Sequence, residues 1–150
     1  MHFRPANPAD VEALRAVARR AYVRYIPRVG RRPAPMDADF PRHVAERQAT
    51  VAEQGGVVIG FVIAYPREDD YFVENVAVDP GHAGKGVGRG LMAEAEKAAL
   101  AAGRRTVRLY TNVRMYENFA FYAGCGYKKT HEITESGFRR VYLEKELVSA

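Results

Sequence analysis

The chain has a single cysteine, Cys125, in 150 residues. That excludes an intrachain disulfide, and one thiolate is too few for a thiolate metal site. A reducing cytoplasm is the compartment expected of such a chain. There is no uninterrupted apolar run near the ~20 residues that cross a bilayer. The opening segment MHFRPANPAD lacks the apolar middle of a secretion signal. No internal repeat or low-complexity linker interrupts the chain, and no His, Asp or Glu cluster has metal-ligand spacing. Neither a membrane nor a metal is expected as a partner.

What is present is the composition of an ordinary globular protein, 47% hydrophobic and 27% charged. The length suits one domain, residues 1–150, large enough to bury a core. The net charge is +5, which favours an anionic partner. The arginines come in scattered groups: Arg19, Arg20 and Arg24; Arg28, Arg31 and Arg32; Arg104 and Arg105; Arg139 and Arg140. Scatter of this kind reads as solvated surface rather than a nucleic-acid face, so no nucleic acid is expected; a phosphorylated cofactor is the other anionic candidate.

Apolar periodicity and breakers divide the chain into elements. His2 to Pro5 reads as a strand. A helix opens at Asn7 or Pro8 with Leu14, Val17, Ala18 and Ala21 on one face. Four prolines between Pro27 and Pro41 prevent one continuous helix there, so an irregular loop is expected to lead into a second helix near Asp37 to Gln48. Thr50 to Glu53 and Gly56 to Tyr65 read as strands about a Gln54-Gly55-Gly56 turn, the second apolar enough to be buried on both faces. Tyr71 to Val78 is a strand ended by Asp79-Pro80-Gly81. A helix from Val87 to about Ala102 places Leu91, Ala95, Ala98 and Ala102 inward, and Gly103 ends it. Thr106 to Tyr110 is a strand, Met115 to Ala123 a helix, Tyr127 to Thr134 a strand and Phe138 to Leu147 the last strand, after a turn at Ser136-Gly137. The result is an α/β fold around a mixed central sheet of about seven strands, flanked by about four helices.

The segment from Asn75 to Leu91 carries the most chemical information. An apolar strand runs into glycines at 81, 84, 86, 88 and 90, and an amphipathic helix follows. Glycine allows positive φ and close approach to backbone amides. Amides at a helix start, aided by the helix dipole, suit a phosphate or pyrophosphate, and Lys85 and Arg89 add positive charge. A Walker A loop needs Ser or Thr after its lysine, and here Gly86 follows Lys85. The dinucleotide fingerprint belongs after the first strand of a parallel unit, with an acidic residue ~20 positions on; neither condition is met.

Val76-Ala77-Val78-Asp79-Pro80 followed by Ala83-Gly84-Lys85-Gly86-Val87-Gly88 resembles the acyl-CoA-binding motif of the GNAT superfamily of N-acetyltransferases, written Gln/Arg-x-x-Gly-x-Gly/Ala. Phe121-Tyr122 and Gly126-Tyr127 resemble the family's late helix and its step into the next strand, and the element order matches along essentially the whole chain. There are departures. Ala83 stands where the family has Gln or Arg, which leaves pyrophosphate binding to backbone amides. Met115 and Asn118 stand where the late helix often carries Asn and Ala.

The resemblance implies a single-domain GNAT-like fold and a direct transfer of an acetyl group from acetyl-CoA to a primary amine, without a metal. It implies that the pantetheine arm lies along the strand of Glu74 to Val78, with Val76, Ala77 and Val78 beside it. The pyrophosphate then meets Gly84, Lys85, Gly86, Val87, Gly88 and Arg89. Tyr122 matches the family's general acid. Glu74, on the strand beside the cofactor, is the candidate general base, and shares a face with Val76 unless a bulge intervenes. Asn118, one turn before Tyr122, is positioned to reach the cofactor.

Cys125, in a Gly-Cys-Gly corner, reads as packing rather than a nucleophile, and His43, His82 and His131 as exposed histidines without a role. The acceptor, a small-molecule or peptide amine, is expected to meet Tyr22, Tyr25, Arg28, the Gly30-Arg31-Arg32-Pro33 stretch and the turn near Ser136; arginine forks there suit a carboxylate or phosphate on it. The family dimerises through varied surfaces, so a homodimer is open. The alternative function is a non-catalytic acyl-CoA-binding sensor, which would have no need of Tyr122 and Glu74.

Overall fold

A computed structural model of the chain describes residues 1–148. The strands are β1 His2–Pro5, β2 Ala49–Gln54, β3 Val57–Pro66, β4 Tyr71–Val78, β5 Thr106–Asn112, β6 Lys128–Glu135 and β7 Phe138–Glu146. The helices are α1 Val11–Tyr22, the single turn α2 Ile26–Val29, α3 Phe40–Ala45, α4 Val87–Ala101 and α5 Glu117–Gly124. All strands join one seven-stranded sheet in the order β1-β2-β3-β4-β5-β7-β6. Its only parallel pair is β4 with β5, where α4 supplies the crossover that parallel strands require.

Local chemistry explains most boundaries. Asn7 and Asp10 form a capping box ahead of α1. Arg4 holds Asp10 at 2.8 Å and Glu53 at 2.7 Å, tying β1, the start of α1 and β2 together. Gly55 and Gly56 both have positive φ, 58° and 78°, as the tightest hairpin turn demands. The second helix is shorter than the sequence suggests. Asp39 caps it by accepting from the Arg42 amide, Pro41 sits in its first turn, and Ala34–Asp37 is a separate 3-10 turn.

The core lies in two layers. On one face α4 packs on the sheet, with Leu91, Met92, Ala95 and Ala99 against Val62, Val73, Val107 and Leu109. The inner face of α4 therefore continues through Ala99, whereas Ala98 and Ala102 are exposed; the i, i+4 row from Ala95 wins over the i+3 step. On the other face α1 and α3 pack Leu14, Val17, Phe40 and Val44 against Val51, Phe61, Ile63 and Ala77. Strand β3 is buried from Ile59 to Ala64, as its apolar run requires. The late helix begins at Glu117 rather than Met115, and Met115 is buried in the preceding loop.

Candidate active site

Strands β4 and β5 pair only from Tyr71 to Val73 with Val107 to Leu109. Beyond Val73 they splay. At the same place β4 carries an extra residue: Ile63 faces Asn75 and Ala64 faces Val73, which leaves Glu74 bulged out of the β3–β4 ladder. Val73, Val76 and Val78 pack on the α4 side, whereas Ala77 packs on the α1 side. Glu74 and Val76 thus point to opposite faces, because the bulge resets the alternation.

The Glu74 carboxylate is held on the α3 side. It accepts from Tyr65 Oη at 2.7 Å and lies 2.8 Å from His43 Nε2. His43 Nδ1 lies 2.7 Å from Gln48 Oε1. His43 is 1% exposed, so it is a buried bridge from Gln48 to Glu74 and not the solvated histidine expected. The signal was present in the spacing: Phe40, His43 and Val44 share one helical face. His131 is exposed and stacks on Tyr142 at 4.6 Å between ring centroids.

A groove of about 620 Å³ runs beside the splayed half of β4. Val76, Ala77, Val78, Gly84, Gly86, Val87, Gly88, Arg89, Asn118 and Tyr122 line it, which brings together all the predicted cofactor residues except Lys85. Lys85 is exposed and is not among the lining residues. The Asp79 amide donates to Ile59 O at 2.8 Å. By the alternation of an antiparallel ladder, the peptide groups of Val76 and Val78 then face away from β3, into the splay. The Val76 carbonyl accepts from Tyr22 Oη at 2.8 Å.

The glycines divide into two kinds. Gly84 and Gly86 have positive φ, 76° and 83°, and a Cβ on either would meet nothing within 4 Å. They shape an open loop ahead of α4. Gly88 and Gly90 lie inside α4, where a Cβ would come 3.0 Å from Phe121 Cζ and 2.3 Å from Phe3 Cζ. Both allow close packing there, and Gly88 also lines the groove. Sequence reasoning missed Arg24 and His82, both in the groove wall. Arg24 donates to Tyr25 Oη at 2.6 Å, and His82 Nδ1 is buried without a partner among the described residues.

A second, smaller cavity of about 40 Å³ opens at the splay, lined by Glu74, Asn75, Tyr110, Asn112, Phe138 and Arg140 among others. Tyr22, Val76, Asn118 and Tyr122 line both cavities, so the two meet there. Asn118 is fixed by a 3.2 Å bond from Nδ2 to Thr111 Oγ1. Tyr122 is 7% exposed. Burial pushes its phenol well above the ordinary tyrosine value, with smaller effects of Cys125 and Tyr25, so it is protonated at neutral pH. Cys125 is half-buried and burial raises its thiol, which suits packing rather than attack. Arg28 is committed to Glu117 at 2.5 Å, and Arg31 donates to Ser136 O at 2.7 Å, closing the Pro-rich loop onto the β6–β7 turn.

No helix of the described residues is long and apolar enough to cross a membrane. Among the described residues no group of His, Cys, Asp and Glu converges as a metal site would.

Solved structures share this fold over nearly the full length. The PaiA N-acetyltransferase of Thermoplasma acidophilum, solved with coenzyme A, superposes with a TM-score of 0.82 at 20% identity, over 97% of this chain and 98% of that one. Ard1 of Thermoplasma volcanium gives 0.78 at 18% identity, over 99% and 98%. The ribosomal-protein-S18-alanine N-acetyltransferase of Escherichia coli gives 0.76 at 18% identity, over 99% and 95%. Comparison with curated protein sequences gives no significant match. The family model for the acetyltransferase (GNAT) family matches residues 12–127, most of the chain, including α1, the bulged strand, the glycine loop and Tyr122, and the chain belongs to that family.

Proposed function

We propose that the protein transfers an acetyl group from acetyl-CoA to a primary amine in a ternary complex, with Glu74 as general base and Tyr122 as general acid. One observation carries the reading. The long groove and the small cavity meet at Val76, Asn118 and Tyr122, with Glu74 on the side from which an amine arrives. A donor and an acceptor entering from opposite faces of the splay come together there, the arrangement direct transfer needs.

The residues present fit acetyl-CoA. The open loop at Gly84 and Gly86 offers amides at the start of α4 to a pyrophosphate. Gly88, Arg89, Arg24 and, from the exposed loop, Lys85 add to this anion site. Val76 and Val78 present main-chain groups that a pantetheine arm pairs with as an added strand would, with Ala77 between them and Val87 beneath. Asn118 contributes a side-chain amide where the two cavities join. Ala83 has no polar side chain, so the amides bear most of the phosphate binding.

Acetyl-CoA, when bound, supplies the thioester carbonyl that the amine attacks and the thiolate that leaves. The amine must be neutral to attack, and Glu74 takes its proton as the new C–N bond forms. His43 and Tyr65 hold that carboxylate by its two oxygens, which leaves lone pairs for the amine. Tyr122 gives its phenolic proton to the departing sulfur and recovers one from solvent. The acceptor is a small-molecule or peptide amine; the Escherichia coli neighbour is named for a protein alanine.

Release of free thiol from acetyl-CoA across a panel of amines tests the proposal. Turnover with at least one amine, lost in Glu74→Gln, is the expected result. Tight acetyl-CoA binding with no turnover on any amine would leave a binding module instead.

A further inference from the structure

Resting on that acetyl-transfer reading, we propose that Arg140 binds a carboxylate on the acceptor, so that the acceptor is a compact amine bearing its own carboxylate. Arg140 lies on β7 opposite Asn112 of β5, and its side chain is only 12% exposed. Burying a guanidinium normally requires hydrogen-bonded carboxylates. Arg4 and Arg108 obey this. They are more exposed, at 24% and 35%, and each is held by two carboxylates at 2.7–2.9 Å. Among the described residues the one carboxylate near Arg140 is Glu135, at 3.7 Å, beyond hydrogen-bond distance, and that same Glu135 oxygen already accepts from the Tyr142 hydroxyl.

What holds Arg140 is aromatic. Its guanidinium lies 4.2 Å from the centroid of Tyr110 and 5.4 Å from that of Phe138. Such contacts use the cation's face and leave its N–H donors at the edge unspent. None of its nitrogens is both fully buried and unpartnered, and Arg140 is one of the residues that line the smaller cavity.

The same cavity holds Glu74, and Tyr110 stands between the two charges. Its phenol is raised chiefly by burial; Arg140 pulls it down and Glu74 pushes it up. A small cavity with a base at one point and a guanidinium without a hydrogen-bonded carboxylate at another fits a zwitterion, its amine toward Glu74 and its carboxylate on the Arg140 fork. An uncharged amine would leave the guanidinium desolvated and unpaired. A peptide amino terminus, whose nearest carbonyl is an amide, would do the same.

The test compares kcat/KM, from thiol release with acetyl-CoA, for matched pairs: glycine against glycinamide, β-alanine against its amide, γ-aminobutyrate against butylamine. Rates are referred to the neutral-amine fraction, because the acids and amides differ in amine basicity. The acids are expected to be preferred about 10- to 100-fold, the range of a charge-assisted hydrogen bond. Arg140→Gln should collapse that ratio toward one, and Arg140→Lys should retain part of it. Equal rates for acids and amides in the wild-type protein would overturn the proposal without needing a variant. A ratio unchanged in folded Arg140→Gln would overturn it as well. If amines without a carboxylate turn over and the acids do not, only this inference falls. If acetyl-CoA binds and no amine turns over, the acetyl-transfer reading fails and the inference with it.

Discussion

Replacing Tyr122 with phenylalanine removes one oxygen and little else. Among the described residues the hydroxyl has no side-chain hydrogen-bond partner; burial, and after it Cys125 and Tyr25, raise the phenol. The ring stays packed on Phe121 at 5.1 Å and Tyr127 at 6.2 Å. No partner is orphaned and no sizeable cavity opens, so stability should change by no more than about 0.5 kcal/mol. If Tyr122 supplies the proton to the departing sulfur, kcat should fall by about 10² to 10⁴, or ~3–5 kcal/mol of barrier. KM for acetyl-CoA should move little, because the proton is transferred only as the C–S bond breaks. A donor whose leaving thiol is more acidic needs that proton less, so the loss should shrink with such a thioester. Since burial disfavours the phenolate, Tyr122 remains protonated past the ordinary tyrosine value of about 10, and a falling limb below that pH cannot be its own. Thiol-release kinetics beside thermal unfolding give every quantity required. A kcat within twofold of wild type at unchanged stability would refute the acid assignment, as would a loss that does not depend on the leaving group.

Three further outcomes follow from the geometry. Glu74→Gln should lower kcat by about 10² or more, His43→Gln by about 10-fold, and the double variant should be no worse than Glu74→Gln, since His43 acts only through that carboxylate; additive losses in steady-state rates would disprove the coupling. Gly86→Ala should cost ~1–2 kcal/mol for its left-handed backbone and weaken acetyl-CoA binding at least tenfold, because the new methyl faces open groove, and titration calorimetry finding unchanged affinity would contradict the loop placement. Asp70 is 3% exposed and held by Arg67 at 2.7 Å and Arg108 at 2.9 Å; Asp70→Ala should cost ~1–3 kcal/mol, measured by urea denaturation, because Arg108 keeps Glu144 and Arg67 is partly solvated. Arg67 foremost holds the Asp70 carboxyl below its usual value. The stabilisation is therefore complete above the unfolded carboxylate pKa of about 4 and is lost as pH falls through the lower folded value; a wild-type acid-unfolding curve identical to that of Asp70→Asn would refute this.

The sequence told most about the elements with strong punctuation. Tyr71–Val78 was bounded by a polar turn and by Asp79-Pro80, and α4 by the loop glycines and Gly103, so their ends were legible to within a residue. The stretch between Pro27 and Pro41 was not, because proline says where a helix cannot continue and little about where a short one starts. The residues of the long groove were legible as a group because glycine pattern and strand context coincide there. Those of the smaller cavity were not. Arg28, Arg31 and Arg140 look alike in sequence, yet Arg28 is spent on Glu117 and Arg31 on the Ser136 carbonyl, whereas Arg140 lines the smaller cavity with its nearest carboxylate, Glu135, 3.7 Å away. Pairing across 89 or 105 positions of chain leaves no local trace.

The bulge at Glu74 is the feature local pattern could least supply, and both halves of the site depend on it. In a regular strand Glu74 would share the face of Val76, on the α4 side, away from His43 and Tyr65. The extra residue turns its carboxylate to the α3 side while Val76 and Val78 keep their packing on the α4 layer. A bulge also increases local twist, and the pairing of β4 with β5 ends at Val73, the residue just before it. One inserted residue thus turns the proposed base toward the smaller cavity and lies at the point where the strands part, where the proposed pantetheine arm would enter. Nothing in the residues Val73-Glu74-Asn75 demands a bulge by propensity. It is specified by the neighbours that reward it: Tyr65 and His43 on one carboxylate, and the Tyr22 hydroxyl, whose one proton is shared between Asn75 Oδ1 and the Val76 carbonyl, each 2.8 Å away.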